Sequence, residues 1–301
     1  MEAIPNQAPP NQAPPNQALP NQALPNQAPP IRDPCETISR RPHHRLRGHV
    51  LSLSGFRTNA PIAHRILPCN IPVLIIDITG AARVATGASA IPTIERDAFW
   101  GHGMTVGLTP AGVSALLGMP MRELIGQTVP MPAFTAELAE RLAVIPDWPA
   151  RFALLEEWLE NQLPPCSRPC VQKPCAQKRC VQKPCAKSPD TEDPLITEAW
   201  FRLQRPNAPR VASVAASLGI SRRRLETGFQ RQIGLPPGTV ARIARFQRAV
   251  SMIALGAALP QAAFDSGYAD QPHFTRDVHT MSGLTPSALR ANLQDALGRG
   301  S

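Results

Sequence analysis

One arrangement of small, turn and apolar residues occurs twice near the C-terminus, about 48 residues apart. In the first copy Ala215 is followed by Gly219, Ser221, Leu225 and Phe229. In the second, Ala263 is followed by Gly267, Asp270, Phe274 and Val278, with one more residue between glycine and cap. Each copy spells two short helices around a tight turn. The alanine permits a close helix crossing and the glycine a positive φ, while Ser221 or Asp270 offers an oxygen to the first amides of the second helix. The apolar residues four and eight positions past each cap then share one buried stripe. Between the copies, residues 240–255 place Ile243, Phe246, Val250 and Ile253 at helical spacing. Residues 195–299 are therefore expected to form an all-α domain of two helix-turn-helix units and a joining helix.

The rest of the 301-residue chain is punctuated by two five-residue arrays. PNQAP begins at Pro5 and recurs at Pro10, Pro15, Pro20 and Pro25, with Leu19 and Leu24 each replacing a proline. A five-residue period matches neither helix nor strand, and this unit has little apolar surface to bury, so residues 1–34 read as an extended, disordered tail. The second array runs PCVQK, PCAQK, RCVQK, PCAKS from Pro169, within a Pro/Cys/Lys-rich segment at 164–194 that reads as a disordered linker. Of the 35 prolines, 17 fall in these two stretches. Cys166, Cys170, Cys175, Cys180 and Cys185 stand four or five apart. Structural zinc sites favour closer pairs separated by a longer loop, so the array reads as spacer. The alternative is a metal- or thiol-responsive regulator, with Cys170, Cys175, Cys180 and Cys185 sharing one soft ion. Neighbouring Lys and Arg would lower their thiol pKa values.

Charge divides the chain in the same places. Residues 1–59 carry +3, including the poorly defined basic stretch 35–59. Residues 60–163 carry −4, 164–189 carry +6, 190–194 carry −3 and 195–301 carry +7. A basic C-terminal region after an acidic one points to a polyanion partner, most simply nucleic acid. No apolar run of about 18 residues is present, so no membrane span or membrane partner is expected. No leader-like pattern of basic then apolar residues opens the chain. A cytoplasmic location with reduced thiols is the corresponding expectation.

Residues 60–163 read as a mixed α/β module, strands first and helices last. Residues 73–78 form a β-branched apolar run, and 84–86 and 104–108 are candidate strands. Past Pro110, Val113, Leu116 and Leu117 share a helical face that Gly118 and Pro120 end. Residues 134–145 continue with Leu138 and Leu142. Asp147 then caps a third helix carrying Phe152, Leu155, Trp158 and Leu159. His64, Asp77, Glu95 and His102 are its candidate pocket residues, set against the plainer reading as caps and surface groups. No phosphate-binding glycine loop, His-Glu zinc motif or nucleophile elbow occurs, so no enzyme activity and no cofactor are expected.

Residues 211–290 resemble the DNA-binding domain of the AraC/XylS family of bacterial transcription regulators. The resemblance is carried by VASVAASLGISRRRLETGF from Val211, GLPPGTVARIARFQRA from Gly234 and GYADQPHFTRDVHTMSGLTPSALR from Gly267. The sequence departs from the family at Leu289, where an aromatic is usual, and at Val278, often Phe. Gly228 lies inside the first recognition helix, at a helix-propensity cost of about 1 kcal/mol relative to Ala. The resemblance implies that helices at 221–232 and 270–281 enter successive major grooves on one face of double-stranded DNA, about 34 Å apart. Mapping the family's contact positions gives Arg223, Glu226 and Thr227 in the first helix, and the helix N-terminus, where residues point at base edges, holds Ser221, Arg222, Arg223 and Arg224 as candidate DNA contacts. In the second the mapping gives Gln271, Pro272 and Arg276, with the cap Asp270 a further candidate contact. Arginine grips guanine O6 and N7 in bidentate fashion, and Glu226 can accept from cytosine N4. Arg242 and Arg245 of the joining helix are candidate phosphate contacts, and Arg248 faces phosphate or solvent. His273 and His279, six residues apart, lie on different helix faces and make no metal pair. The same family implies RNA polymerase as a partner.

Residues 64–159 are similar to the N-terminal sensing module of one branch of the same family. HRILP at His64, VLIIDITG at Val73 and VGLTPAGVSALLGMPMREL at Val106 carry this likeness. Cys69 and Asn70 stand where that branch usually has Asp-Gly. A small-molecule effector and homodimerisation are the implied roles. The expected architecture is an α+β module followed by an all-α double helix-turn-helix domain, working as a sequence-specific regulator.

Overall fold

The computed structural model describes residues 36–57, 64–78, 83–95, 101–163, 193–206 and 209–296. The PNQAP array, Cys35 and the Cys166–Cys185 array lie outside these residues. The N-terminal part is built on a six-stranded antiparallel sheet. Its strands are β1 (Glu36–Arg40), β2 (Val50–Arg57), β4 (Val73–Asp77), β5 (Arg83–Thr86), β7 (His102–Leu108) and β8 (Thr128–Pro130), in the order β1-β2-β7-β4-β5-β8. Strands β3 (His64–Ile66) and β6 (Thr93–Glu95) pair as a separate antiparallel ribbon.

The inner strands follow from their side chains. Strand β4 is β-branched and apolar and lies between β7 and β5, where both faces are covered, so its burial is nearly continuous. Strand β2 alternates, with Val50 and Leu53 buried and Ser52 and Ser54 less so. Leu53 and Leu74 both face Val106 across the ladders, and all three are fully buried. Three helices close the module: α1 (Pro110–Leu117), α2 (Pro132–Ala143) and α3 (Trp148–Gln162). Asp147 caps α3, its carboxylate accepting from the Ala150 amide at 2.9 Å. Leu138, Leu142, Phe152, Leu155 and Leu159 bury the inner helical faces, as their spacing predicts.

The C-terminal part is wholly helical among the described residues: α4 (Pro194–Gln204), α5 (Val211–Ser217), α6 (Arg222–Gln232), α7 (Pro237–Ala254), α8 (Leu259–Asp265), α9 (Gln271–Ser282) and α10 (Pro286–Ala296). The two turn glycines adopt φ +66° at Gly219 and +84° at Gly267. Leu225, Phe229, Phe274 and Val278 are fully buried. Leu289 is buried too, so the two positions where the family prefers aromatics are filled by smaller apolar groups. Gly228 has a physical reason that propensity alone does not supply. A Cβ there would lie 2.3 Å from Cδ1 of the buried Ile196, so glycine lets α4 lie directly on α6.

The two parts touch. The Asn70 amide donates to the Val240 carbonyl at 2.8 Å in a buried setting, and Gln247 donates to the Pro68 carbonyl. The Arg122 guanidinium donates to the Arg231 carbonyl at the end of α6, at 2.7 Å. Gly234, in the turn after α6, packs so closely on Arg122 and Ile125 that a Cβ would meet them at 2.7–3.0 Å.

Candidate nucleic-acid interface

The first candidate reading element is α6. Ser221 caps it, its hydroxyl accepting from the Arg224 amide at 3.1 Å. Leu225 and Phe229 turn inward, which leaves Arg222, Arg223, Arg224, Glu226 and Thr227 exposed. The three arginines are not equivalent. Arg222 pairs with Glu226 one turn on, at 2.9 Å. Arg224 pairs with Asp193 at 3.1 Å, and Asp193 is itself the cap of α4. Arg223 forms no hydrogen bond or ion pair among the described residues. It is thus the arginine whose guanidinium is free to meet a base or a phosphate. A cleft of about 530 Å³ runs beside this helix, lined by Arg222, Glu226 and Gln230 and by Thr239 at the start of α7.

Helix α9 is built on the same plan with different side chains. Asp270 caps it through the His273 amide at 2.7 Å. Gln271, Pro272 and Arg276 are exposed, and Arg276 donates to the Pro272 carbonyl at 3.3 Å. His273 does not face the same way. Its ring lies against Tyr268 at 5.2 Å, whereas His279 is exposed on another face.

The arginines of α7 are engaged within the protein. Arg242 donates to the buried Asp277 of α9 at 2.6 Å. The Arg245 guanidinium stacks on the Tyr268 ring at 5.1 Å, and Arg248 donates to the carbonyls of Arg205 and Ser266. Burial and the Asp277 carboxylate push the Tyr268 phenol well above its usual range. Burial, with Arg245 beside it, pulls the Arg248 guanidinium below its own. These contacts bind α7 to the second unit. Their partners lie far along the chain, so no local pattern announces these contacts.

The sheet module's candidate residues separate into two places. His64 lies opposite Glu95 in the β3–β6 ribbon, while Asp77 lies opposite Gly103, next to His102, in the large sheet. His102 contacts the buried Arg151 and the edge of Trp148. Burial and the charges of Arg151 and Arg57 hold its imidazole below the usual histidine range. Among the described residues no three His, Cys, Asp or Glu side chains group as a metal site would require. Nor is any helix there long and apolar enough to cross a membrane.

A protein-family model described as a helix-turn-helix domain matches residues 214–292, from α5 into α10. The helical region is an AraC-type helix-turn-helix domain. No curated protein matches the chain. Among solved structures, the AraC-type domain is similar to a transcriptional regulator from Chromobacterium violaceum, at 26% identity over 34% of this chain and 93% of that one, with a TM-score of 0.32. A probable AraC-family regulator from Rhodopseudomonas palustris shares 28% identity over 33% of this chain and 93% of that one, with a TM-score of 0.28. ToxT from Vibrio cholerae aligns over 86% of this chain and 98% of its own, at 12% identity and a TM-score of 0.40. An AraC-type helix-turn-helix domain is a DNA-binding module of transcription regulators.

Proposed function

We propose that the chain regulates transcription by reading a specific DNA site with α6 and α9 in successive major grooves. The observation that carries this is the repeated, capped helix with its apolar stripe buried and its polar face exposed. In this reading Arg223 contacts a base edge, and the Arg222–Glu226 pair presents a fixed donor–acceptor surface beside it. Arg224 holds α6 against α4. Gln271 and Arg276 read the second groove, where Pro272 donates no hydrogen bond. Most protein–DNA hydrogen bonds go to phosphate, so base reading is kept for few side chains. Arg242 and Arg245 serve chiefly to set α9, with phosphate contact secondary. The sheet module supplies the control signal, either a small-molecule effector or a second copy of the chain. It acts through the contacts of Asn70 and Arg122. RNA polymerase is the proposed downstream partner, and a role on the chromosome puts the protein in the cytoplasm.

In-vitro selection of DNA by the full chain tests this reading. Two enriched blocks about 10 base pairs apart are expected. Salt-sensitive binding with no enriched sequence would refute specific readout.

A further inference from the structure

The sheet module is acidic over most of its length, yet one stretch of it is the opposite. Residues 40–49 read RRPHHRLRGH, with four arginines, three histidines and no acid. The stretch forms a fixed knuckle. Pro42 and Leu46 are buried, His44–Leu46 makes one tight helical turn, and the His49 amide donates back to the Leu46 carbonyl at 2.8 Å. Thr109 holds its far end, donating to the Gly48 and His49 carbonyls at 2.9 Å, and helix α3 holds the rest. Glu156 takes Arg40 at 3.5 Å and accepts from the His43 amide at 2.7 Å, while Glu160 takes His43 at 3.2 Å and Arg45 at 3.5 Å. Those two carboxylates engage three of the basic side chains, Arg40, His43 and Arg45. Arg41, His44 and Arg47 stay exposed and in no ion pair among the described residues.

We propose that this knuckle is a second DNA contact, gripping backbone phosphates that flank the site held by the AraC-type domain. The inference rests on the DNA-binding reading and extends it to the other half of the chain. Several cations spaced along a short anchored segment suit a partner whose anions repeat. Buried Pro42 and Leu46 mean that little backbone freedom is lost when it binds. Once α6 and α9 engage a duplex, the adjoining phosphates are at high effective concentration for any cation on the same chain.

The test compares the full chain with Arg41→Gln/Arg47→Gln on two labelled duplexes carrying the selected site, one of about 20 and one of about 60 base pairs. The wild type should bind the longer duplex more tightly. The double variant should lose that advantage, with affinity for the long duplex down about tenfold. Its salt slope should fall by about 1.8, the loss of two phosphate contacts. Its affinity for the short duplex and its melting temperature should not move, and Arg41→Lys/Arg47→Lys should restore the long-duplex binding. Unchanged slope and affinity on both duplexes would overturn the proposal. So would loss of binding to vesicles of anionic phospholipid with DNA binding intact, which would assign the knuckle to a membrane surface. Arg223→Ala run in parallel should weaken both duplexes equally, so failure of the base-reading proposal shows there and not in the length effect.

Discussion

The two helix-turn-helix units share a plan and differ in what holds the second helix of each. After its turn glycine the first unit buries Ile220, and the second buries Tyr268. Helix α6 is secured by its apolar stripe, by α4 and by exposed ion pairs from Arg222 and Arg224. Helix α9 is secured by its stripe and by a polar lock in which Arg242, Arg245, Tyr268 and Asp277 converge. Exposed pairs contribute little, whereas a buried carboxylate deprived of its partner is costly. The same scaffold therefore carries charge outward in one unit and inward in the other.

The largest effects test whether the stripes are equivalent. Phe229→Ala and Phe274→Ala should each cost about 3–5 kcal/mol in chemical denaturation, because both rings are fully buried. A loss below about 1 kcal/mol in either would break the comparison. Next comes the polar lock. Asp277→Ala should cost about 2 kcal/mol, less than for a fully buried pair because Arg242 is 40% exposed. Glu226→Ala, its counterpart in the first unit, should stay within about 0.5 kcal/mol. Similar costs for the two would erase the distinction.

DNA readout sharpens the comparison further. Arg223→Ala and Arg276→Ala should each relax selection at one block only, by about 1–3 kcal/mol. Uniform loss on every sequence would make them phosphate clamps. Gly228→Ala should destabilise by about 1 kcal/mol although alanine is the better helix former, because the Ile196 contact outweighs the propensity gain. In an Ile196→Ala background the same change should become stabilising, which a double-mutant cycle reads directly. The smallest effect is confined to high pH. Tyr268 has its phenol raised in the folded protein above the ordinary value of 10.0, so its share of stability is intact below that pH and falls as pH rises through the folded value. Alkaline unfolding of Tyr268→Phe should lack that component.

Local grammar made most of the helices legible. Ser221, Asp147 and Asp270 cap the helices they were expected to cap, and the stripe residues are buried. Helix α4 was not legible. Its buried stripe of Ile196, Ala199, Trp200 and Leu203 has helical spacing behind the Asp193 cap, but it adjoins the Pro/Cys/Lys-rich segment, and its close seat on Gly228 of α6 is a contact that 194–204 alone does not encode. Strand β1 is exposed at all five residues and offers no periodicity to detect. Strand β2 does alternate, but its glycine and serines weaken the signal. The roles of Arg242 and Arg245 depend on Asp277 and Tyr268, which meet them only after α9 folds back. Asn70 and Arg122 gain meaning from carbonyls more than 100 residues away.

The chain enters the AraC-type domain at Asp193, and that residue is fastened three ways. It caps α4, its amide is held by Gln232 at 3.0 Å, and its carboxylate takes Arg224. Gln232 and Arg224 both belong to α6. A tug on the chain ahead of Asp193 would thus arrive at α4 and the first recognition helix together. The tether and the reading head form one lever, and its fulcrum is the glycine where α4 rests on α6.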